Sequence, residues 1–368
     1  MTKTSKIRIF KTPAGSRATD NPKIPYIKIE PASRQQWIVE RGYGIGASEC
    51  SKILGASRYG TPLSLFLDKV GLNEPVAENW AMEQGHIFER VVAEKFQEQK
   101  GFGVIGISKA GTVKADWLAC DRKHPFLRVS PDYLYWLKDE DGNDMTHNFT
   151  NRGVLECKTS VHHYTPDCIK DECISWYCQV QYQMHVLGLK ESYLGFLCVD
   201  SLTGGECWFQ KIAYNEKFCA DTLIPAIVSF WQDHVAPAMR TNDRDRLMEF
   251  APEPSTADDV TRRYTKEEAG KSISAADIDN FFQQLASYHA RKAAIKEMEA
   301  ELAKFEEQVK LKMKDSESIV DADNKVICTF KASKPSISFD SKRFKSECPD
   351  LYEQYCCEKP GSRRLIFK

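Results

Sequence analysis

The feature that most constrains the fold is a change of hydrophobic period along residues 80 to 213. Between Trp80 and Phe96 the apolar residues Trp80, Ile87, Phe88, Val91, Val92 and Phe96 recur at helical spacing, with Glu83, Arg90 and Glu94 falling between them. An amphipathic helix is expected there. Segments around 103–107, 111–119, 126–137 and 152–158 are rich in β-branched and aromatic residues with partial alternation, which predicts strands. The helical period returns from Trp176 to Leu187, and strand-like runs follow over Tyr193–Val199 and Glu206–Ala213. This order predicts a mixed α/β (α+β) protein whose core sheet is flanked by helices.

The 368 residues admit one large core and an extension. Residues 1–33 mix Lys, Pro, Ser and Asn without clear period and read as an N-terminal arm or edge element, with compact structure starting near Trp37. Thr61-Pro62 and Gly71 bracket a short helix as its cap, first-turn proline and stop. Asp139 to Asn151 reads as a polar connection, and Pro252-Glu-Pro254 as a boundary. The main domain is therefore placed at 34–250. A helical or coiled-coil extension follows at 255–316, where Phe281, Leu285, Tyr288, Ile295, Met298, Leu302, Phe305 and Val309 are spaced mostly by three and four. Lys292 sits in that seam and the step from Ile295 to Met298 breaks the heptad, so a perfect long zipper is not expected. Residues 317–368 read as a small basic α/β tail.

Composition removes several classes. With 42% apolar and 28% charged residues the chain is neither disordered nor fibrous. The start MTKTSKIRIFKTPAG lacks a continuous apolar run, and nowhere is there the stretch of about 18 apolar residues that a membrane span needs. A cytoplasmic location is expected. The 13 cysteines are then expected to be reduced core residues. A net charge of −1 neither demands nor excludes nucleic acid, because a basic channel can be balanced elsewhere.

The chemistry centres on Gly153-Val-Leu-Glu156-Cys157-Lys158. Residues two apart on a strand share a face, so Glu156 and Lys158 would meet one site. A carboxylate holds a hard cation such as Mg2+, and an ammonium beside it orients or deprotonates an attacking water and counters phosphate charge. The spacing alone selects nothing, since Glu98/Lys100, Asp121/Lys123, Asp323/Lys325 and Asp340/Lys342 share it. The apolar lead-in singles out this pair, as does a second acid upstream, in Val129-Ser130-Pro131-Asp132, where proline at a strand edge can turn Asp132 inward. The Cys157 carbonyl could add an oxygen. A surface salt-bridge cluster on a sheet is the competing explanation.

Further candidates surround this pair. Glu89 follows Gly85 by one helical turn, and Gly85 would let that helix approach the sheet. Asp121 could reach a second metal position or serve as a turn residue. Gln179 and Gln183 share a helical face and could bind phosphate or orient a metal ligand, unless they are simply solvated. Arg41, Ser48 and the backbone after Gly46 offer a cradle for a terminal phosphate. Cys168, Cys173 and Cys178 are evenly spaced, yet theirs is not a standard iron-sulfur run.

Taken in order, RGYGIGASE, GHIFE, SPDYL, LECK and QVQY resemble the lambda-exonuclease family of YqaJ-like, phage-type recombination nucleases within the PD-(D/E)xK superfamily. The resemblance covers roughly residues 34 to 215. It implies a restriction-endonuclease-like sheet, with metal held by Asp132, Glu156, the Cys157 carbonyl, Glu89 and Asp121. Asp121 stands one residue farther from the SPD motif than the pattern has it. Lys158 would assist the attacking water, alongside Gln179, and Arg41, Ser48 and Ser130 would recognise a 5'-phosphate. The implied cofactor is Mg2+, with Mn2+ as a substitute. The implied activity is 5' to 3' resection of linear double-stranded DNA for homologous recombination. The implied partners are double-stranded DNA ends, a single-strand annealing recombinase, and further copies of the chain in a ring-shaped homo-oligomer. An endonuclease or iron-sulfur nuclease of the same fold, and a non-catalytic DNA-binding scaffold, are the alternatives.

Overall fold

The computed structural model describes residues 16–73, 79–106, 117–136, 152–200, 206–241, 243–264, 270–334, 337–356 and 363–367. The chain divides into two units, Met1–Tyr264 and Thr265–Lys368. Residues 107–116 and 137–151, which take in most of one expected strand and the polar connection, lie outside the described residues.

The first unit holds two sheets. Ser16–Thr19 (β1) and Tyr26–Pro31 (β2) form an antiparallel sheet with Leu118–Asp121 (β4) and Arg128–Val129 (β5), in the order β1-β2-β4-β5. Gly103–Gly106 (β3), Tyr133–Trp136 (β6), Arg152–Ser160 (β7), Glu191–Cys198 (β8) and Cys207–Ala213 (β9) form the second, in the order β3-β6-β7-β8-β9. In this sheet β7 and β8 are parallel and the other pairs antiparallel. A parallel pair needs a crossover, and the helix expected from Trp176 supplies it. The mixed α/β expectation, a core sheet with helices on it, therefore holds.

Of the expected arm, residues 1–15 lie outside the described residues, and the described part, 16–33, contributes two strands to a sheet. Ile24, Tyr26 and Ile29 are buried, because β2 is an inner strand paired on both sides. Its short, lysine-interrupted run YIKIEP hid that role, although Tyr26, Ile29 and Pro31 of it are buried.

The helices follow their caps. Arg34–Gly42 (α1) starts at Ser33, whose side chain accepts the Gln36 amide. Cys50–Ile53 (α2) is a single turn, and Pro62–Lys69 (α3) has the expected Thr61 cap and first-turn proline. Trp80–Lys100 (α4) runs from Asn79 to Gly101, which ends it at φ 69. The inner face of α4, Val92, Ala93 and Phe96, packs on Tyr135, Leu155 and Cys157 of the five-stranded sheet. Ile174–Leu187 (α5) buries Cys178 and Val180 through Met184, so it is enclosed on nearly every side. It stops at Gly188, where φ is 67 and a Cβ would lie 2.6 Å from Pro25 Cγ. Only glycine is tolerated there.

After β9 a continuous helical run alternates Glu216–Phe218 (α6), Ile224–Ser229 (α7) and Ala236–Ala238 (α8) with π-helical turns at Cys219–Leu223 and Phe230–Val235. The expected boundary at Pro252 does not end the unit. Ala257–Arg263 (α9) is tied back by the buried Asp259, which accepts Thr61 Oγ1 at 2.7 Å and both the Ser255 amide and hydroxyl. Prolines turn the chain, and a buried hydrogen-bonded carboxylate brings it home.

In the second unit, Phe281–Met313 (α10) is one 33-residue helix on which Ile295, Met298, Leu302 and Phe305 are exposed. Ser318–Val320 (β10) and Val326–Thr329 (β11) make a hairpin, followed by Ser341–Glu347 (α11) and Pro349–Tyr355 (α12). Among the described residues no helix is long and apolar enough to cross a membrane.

Candidate active site and phosphate pocket

Register brings the two strand acids together. Tyr133 pairs with Leu155 across β6 and β7, so Asp132, just ahead of β6, faces the position of Glu156. Alternation then sends Leu155 and Cys157 under α4 and leaves Glu156 and Lys158 for the opposite face, where α5 lies. The Asp132 carboxylate accepts the Cys157 backbone amide at 2.8 Å, which fixes it against β7.

Glu156 is 2% exposed, and both of its oxygens are held. Oε1 accepts Lys158 Nζ at 2.7 Å and Gln179 Nε2 at 2.5 Å, while Oε2 accepts Gln183 Nε2 at 2.7 Å. Lys158 also donates to Gln179 Oε1 at 3.0 Å. The two glutamines are thus neither solvated nor idle. Spaced by one turn on α5, they clamp the carboxylate from one side.

Glu89 joins from α4. Its carboxylate lies 3.2 Å from His86 Nδ1, and its backbone carbonyl accepts the Cys157 thiol at 3.7 Å. Gly85 does not serve the close approach expected of it, because a Cβ there would meet only Thr159 Oγ1, at an ordinary 3.9 Å. Asp121 is not brought into the contacts of this cluster. Its carboxylate accepts the His124 amide at 2.6 Å and stands 3.7 Å from His124 Nδ1, closing the turn after β4.

The electrostatics reflect too many acids. Burial, then the neighbouring Glu156 and Glu89 carboxylates, push Asp132 well above the usual carboxylate range, against the opposing pull of Lys158 and the Cys157 amide. Burial, with Glu156 adding to it, also raises Glu89, although His86 opposes the rise. Burial pulls Lys158 down, but Glu156 and Asp132 outweigh it and leave the ammonium above its ordinary value. Three carboxylates face one ammonium. Their oxygens are hard donors and their charge is uncompensated, so a divalent cation fits this donor set. Among the described residues no three His, Cys, Asp or Glu side chains are grouped so that together they could hold a metal ion. A cation such as Mg2+, which keeps several waters, needs only one or two carboxylates.

The second feature lies before α2. Arg41 Nη2 donates to Ser48 Oγ at 2.9 Å, and the guanidinium sits 5.3 Å from the Trp37 ring centre. The loop is fastened to the segment that leads to Asp132, since Ile45 bridges Leu127 and its carbonyl accepts both the Arg128 amide and the Tyr182 hydroxyl. A Cβ at Gly44 would fall 2.3 Å from the Phe126 carbonyl, so that approach requires glycine. Ser130 lies on the same fastened segment, but its hydroxyl donates to the Trp117 carbonyl at 3.3 Å rather than joining the Arg41–Ser48 contact.

Two residues here escaped sequence reading, Glu49 and Lys69, which pair at 2.8 Å beneath Arg41. Glu49 had one visible signal, its position three residues after Gly46 in a capping-box pattern. Lys69 had none, because it arrives from α3. All described cysteines are free, and Cys173 and Cys178 belong to the buried interior.

Residues 36–190 match the model of the YqaJ-like viral recombinase domain, the family to which the motifs pointed. The matched span contains every candidate residue discussed above. A relative, the uncharacterised protein YqaJ of Bacillus subtilis (strain 168), is 29% identical over 335 residues, covering 88% of this chain and 90% of that protein. Among solved structures, the alkaline exonuclease LHK-Exo of Laribacter hongkongensis is 16% identical, with a TM-score of 0.36 over 54% of this chain and 91% of its own. A phage-related exonuclease of Haemophilus somnus 129PT is 11% identical, with a TM-score of 0.36 over 51% and 90%.

Proposed function

We propose that this chain is a divalent-metal-dependent DNA nuclease, acting as a 5' to 3' exonuclease on linear duplex ends. The observation that carries the reading is the cluster of the buried Glu156 with the half-buried Glu89 and Asp132 around one ammonium, Lys158. Asp132, Glu156 and Glu89, with the Cys157 carbonyl, would hold Mg2+, or Mn2+ in its place. When bound, the cation supplies Lewis-acid polarisation of the phosphate and lowers the pKa of a water.

The rest falls to the chain's own groups. Lys158 stays charged beside the acids, so it orients water and counters the negative charge that grows on the phosphate as the bond breaks. Gln179 and Gln183 hold Glu156 in one orientation, which leaves its carboxylate preorganised. Arg41 and Ser48, with Ser130 on the adjoining segment, would receive the 5'-phosphate, and this pocket is what favours an exonuclease. Resection of this kind serves recombination by single-strand annealing, with an annealing recombinase as partner, a ring-shaped homo-oligomer as assembly and the cytoplasm as location. The family resemblance supports those four points.

The test incubates the protein with 5'-phosphorylated linear duplex, 5'-hydroxyl linear duplex and closed circular DNA, in Mg2+ or EDTA, beside Lys158→Ala. Magnesium-dependent loss of the phosphorylated linear duplex, absent in the variant, is expected. Cleaved circles would instead mark an endonuclease, and intact DNA throughout a binding scaffold.

A further inference from the structure

The Arg41 loop is organised around a carboxylate that touches no substrate in the reading above. Glu49 Oε2 accepts the Gly46 amide at 2.7 Å and the Lys69 ammonium at 2.8 Å. The Lys69 side chain is 5% exposed and that of Glu49 18%, so water screens their attraction little. Lys69 closes α3, whose Leu65, Phe66 and Leu67 are buried, and the ammonium is therefore delivered by a fixed helix. A Cβ at Gly46 would lie 3.3 Å from Glu49 Oε2 and 3.4 Å from Arg41 Nε. Guanidinium and carboxylate thus both border that glycine, and the Arg41 charge is near enough to help hold the Glu49 carboxyl low.

The charges explain why both partners are present. Arg41 and Lys69 are cations and Glu49 is an anion, which leaves one positive charge over. Without Lys69, Glu49 would neutralise Arg41, and the guanidinium would find its partner inside the protein instead of on a ligand. Without Glu49, nothing would hold the Gly46 amide or draw the guanidinium to this side of the loop. Trp37 and Ser48 fix only the remaining faces of Arg41.

We infer that Glu49 and Lys69 are a positioning pair that aims Arg41 and keeps its charge free for a terminal phosphate. The inference rests on the phosphate-pocket reading above and deepens it: preference for phosphorylated ends is set by two residues that never meet the phosphate. Neither is a catalytic residue.

The measurement is the ratio of kcat/KM on 5'-phosphorylated over 5'-hydroxyl linear duplex, with the full chain and Mg2+. Lys69→Met is expected to lower that ratio about tenfold, the scale of one charge-assisted contact, through KM for the phosphorylated end. Lys69→Arg should restore it. The double variant Glu49→Gln/Lys69→Met leaves no buried charge unpaired, so it should melt near the wild type and still show the lowered ratio. If the double variant melts normally and keeps the full ratio, the pair is structural only and the inference is overturned. A wild type with no preference for phosphorylated ends would instead overturn the phosphate-pocket reading itself.

Discussion

The acid cluster at β6 and β7 and the loop before α2 are both built from charges partly or wholly withdrawn from water, yet their balances are opposite. The cluster sets Glu89, Asp132 and Glu156 against Lys158, while the loop sets Arg41 and Lys69 against Glu49. The first is short of a cation and the second short of an anion. A phosphodiester substrate bound with a divalent ion supplies both. The comparison also separates two ways of holding a carboxylate. Glu156 is clamped by side chains from a crossover helix, whereas Glu49 is held by a backbone amide of its own turn and a lysine from the next helix.

The harshest attempt to break this contrast removes the carboxylate of the cluster. Glu156→Ala should lower the cleavage rate by about a thousandfold, on the scale of losing a preorganised charge-stabilising group. Circular dichroism must show the variant folded, and a folded variant with full activity would remove the cluster from the chemistry. Next in size is Gln183→Leu, which takes the one donor that reaches Glu156 Oε2 among the described residues. A loss of about tenfold in rate is expected from a residue that orients a ligand. The exposed deficit of one buried hydrogen bond should also cost about 1–3 kcal/mol in urea unfolding.

The cluster's pH response sharpens the contrast further. Asp132 is raised in the folded chain, so the folded state holds its proton longer than the unfolded state does. Stability from this group is therefore present at low pH and is lost as pH rises from the ordinary carboxylate range through the raised value. In EDTA the melting temperature should fall across that window, Asp132→Asn should flatten the fall, and Mg2+ should stabilise more at its upper end. An identical pH slope in Asp132→Asn would contradict the assignment. Glu49 carries the opposite sign. Burial pushes it up, but Lys69 and Arg41 outweigh burial and hold it low, so its stabilisation is lost as pH falls through the lowered value. The smallest effect concerns Gly85. Because a methyl there meets only an ordinary contact, Gly85→Ala should stabilise the protein by about 0.5–1 kcal/mol through helix propensity, measured by thermal or urea unfolding.

How far the sequence disclosed these two regions follows from the range of each interaction. Local period and caps made α3, α4, α5 and the strands of the five-stranded sheet legible, and alternation with the SPD motif brought Asp132, just ahead of β6, beside Glu156 and Lys158 of the adjoining strand β7. The Gln179 and Gln183 face was visible as helical spacing, but its target was not, since only the crossover brings α5 over Glu156. Non-local partners were hidden altogether. Nothing near Lys69 announces Glu49, and nothing near Thr61 announces Asp259. Asp121 shows the converse: its place upstream of the SPD motif left a second metal position and a turn role both open, and its carboxylate accepts the His124 amide in a local turn. Inner strand β2 was missed because six residues with a lysine inside them carry too weak a pattern to distinguish centre from edge.

The central claim, that the acid cluster takes a divalent cation, is tested most directly by calorimetric titration of Mg2+ into the DNA-free protein and into Asp132→Asn at one pH above neutrality. Saturable binding to the wild type that is lost or strongly weakened in the variant is the predicted result; equal binding by both, or none by the wild type, would contradict it.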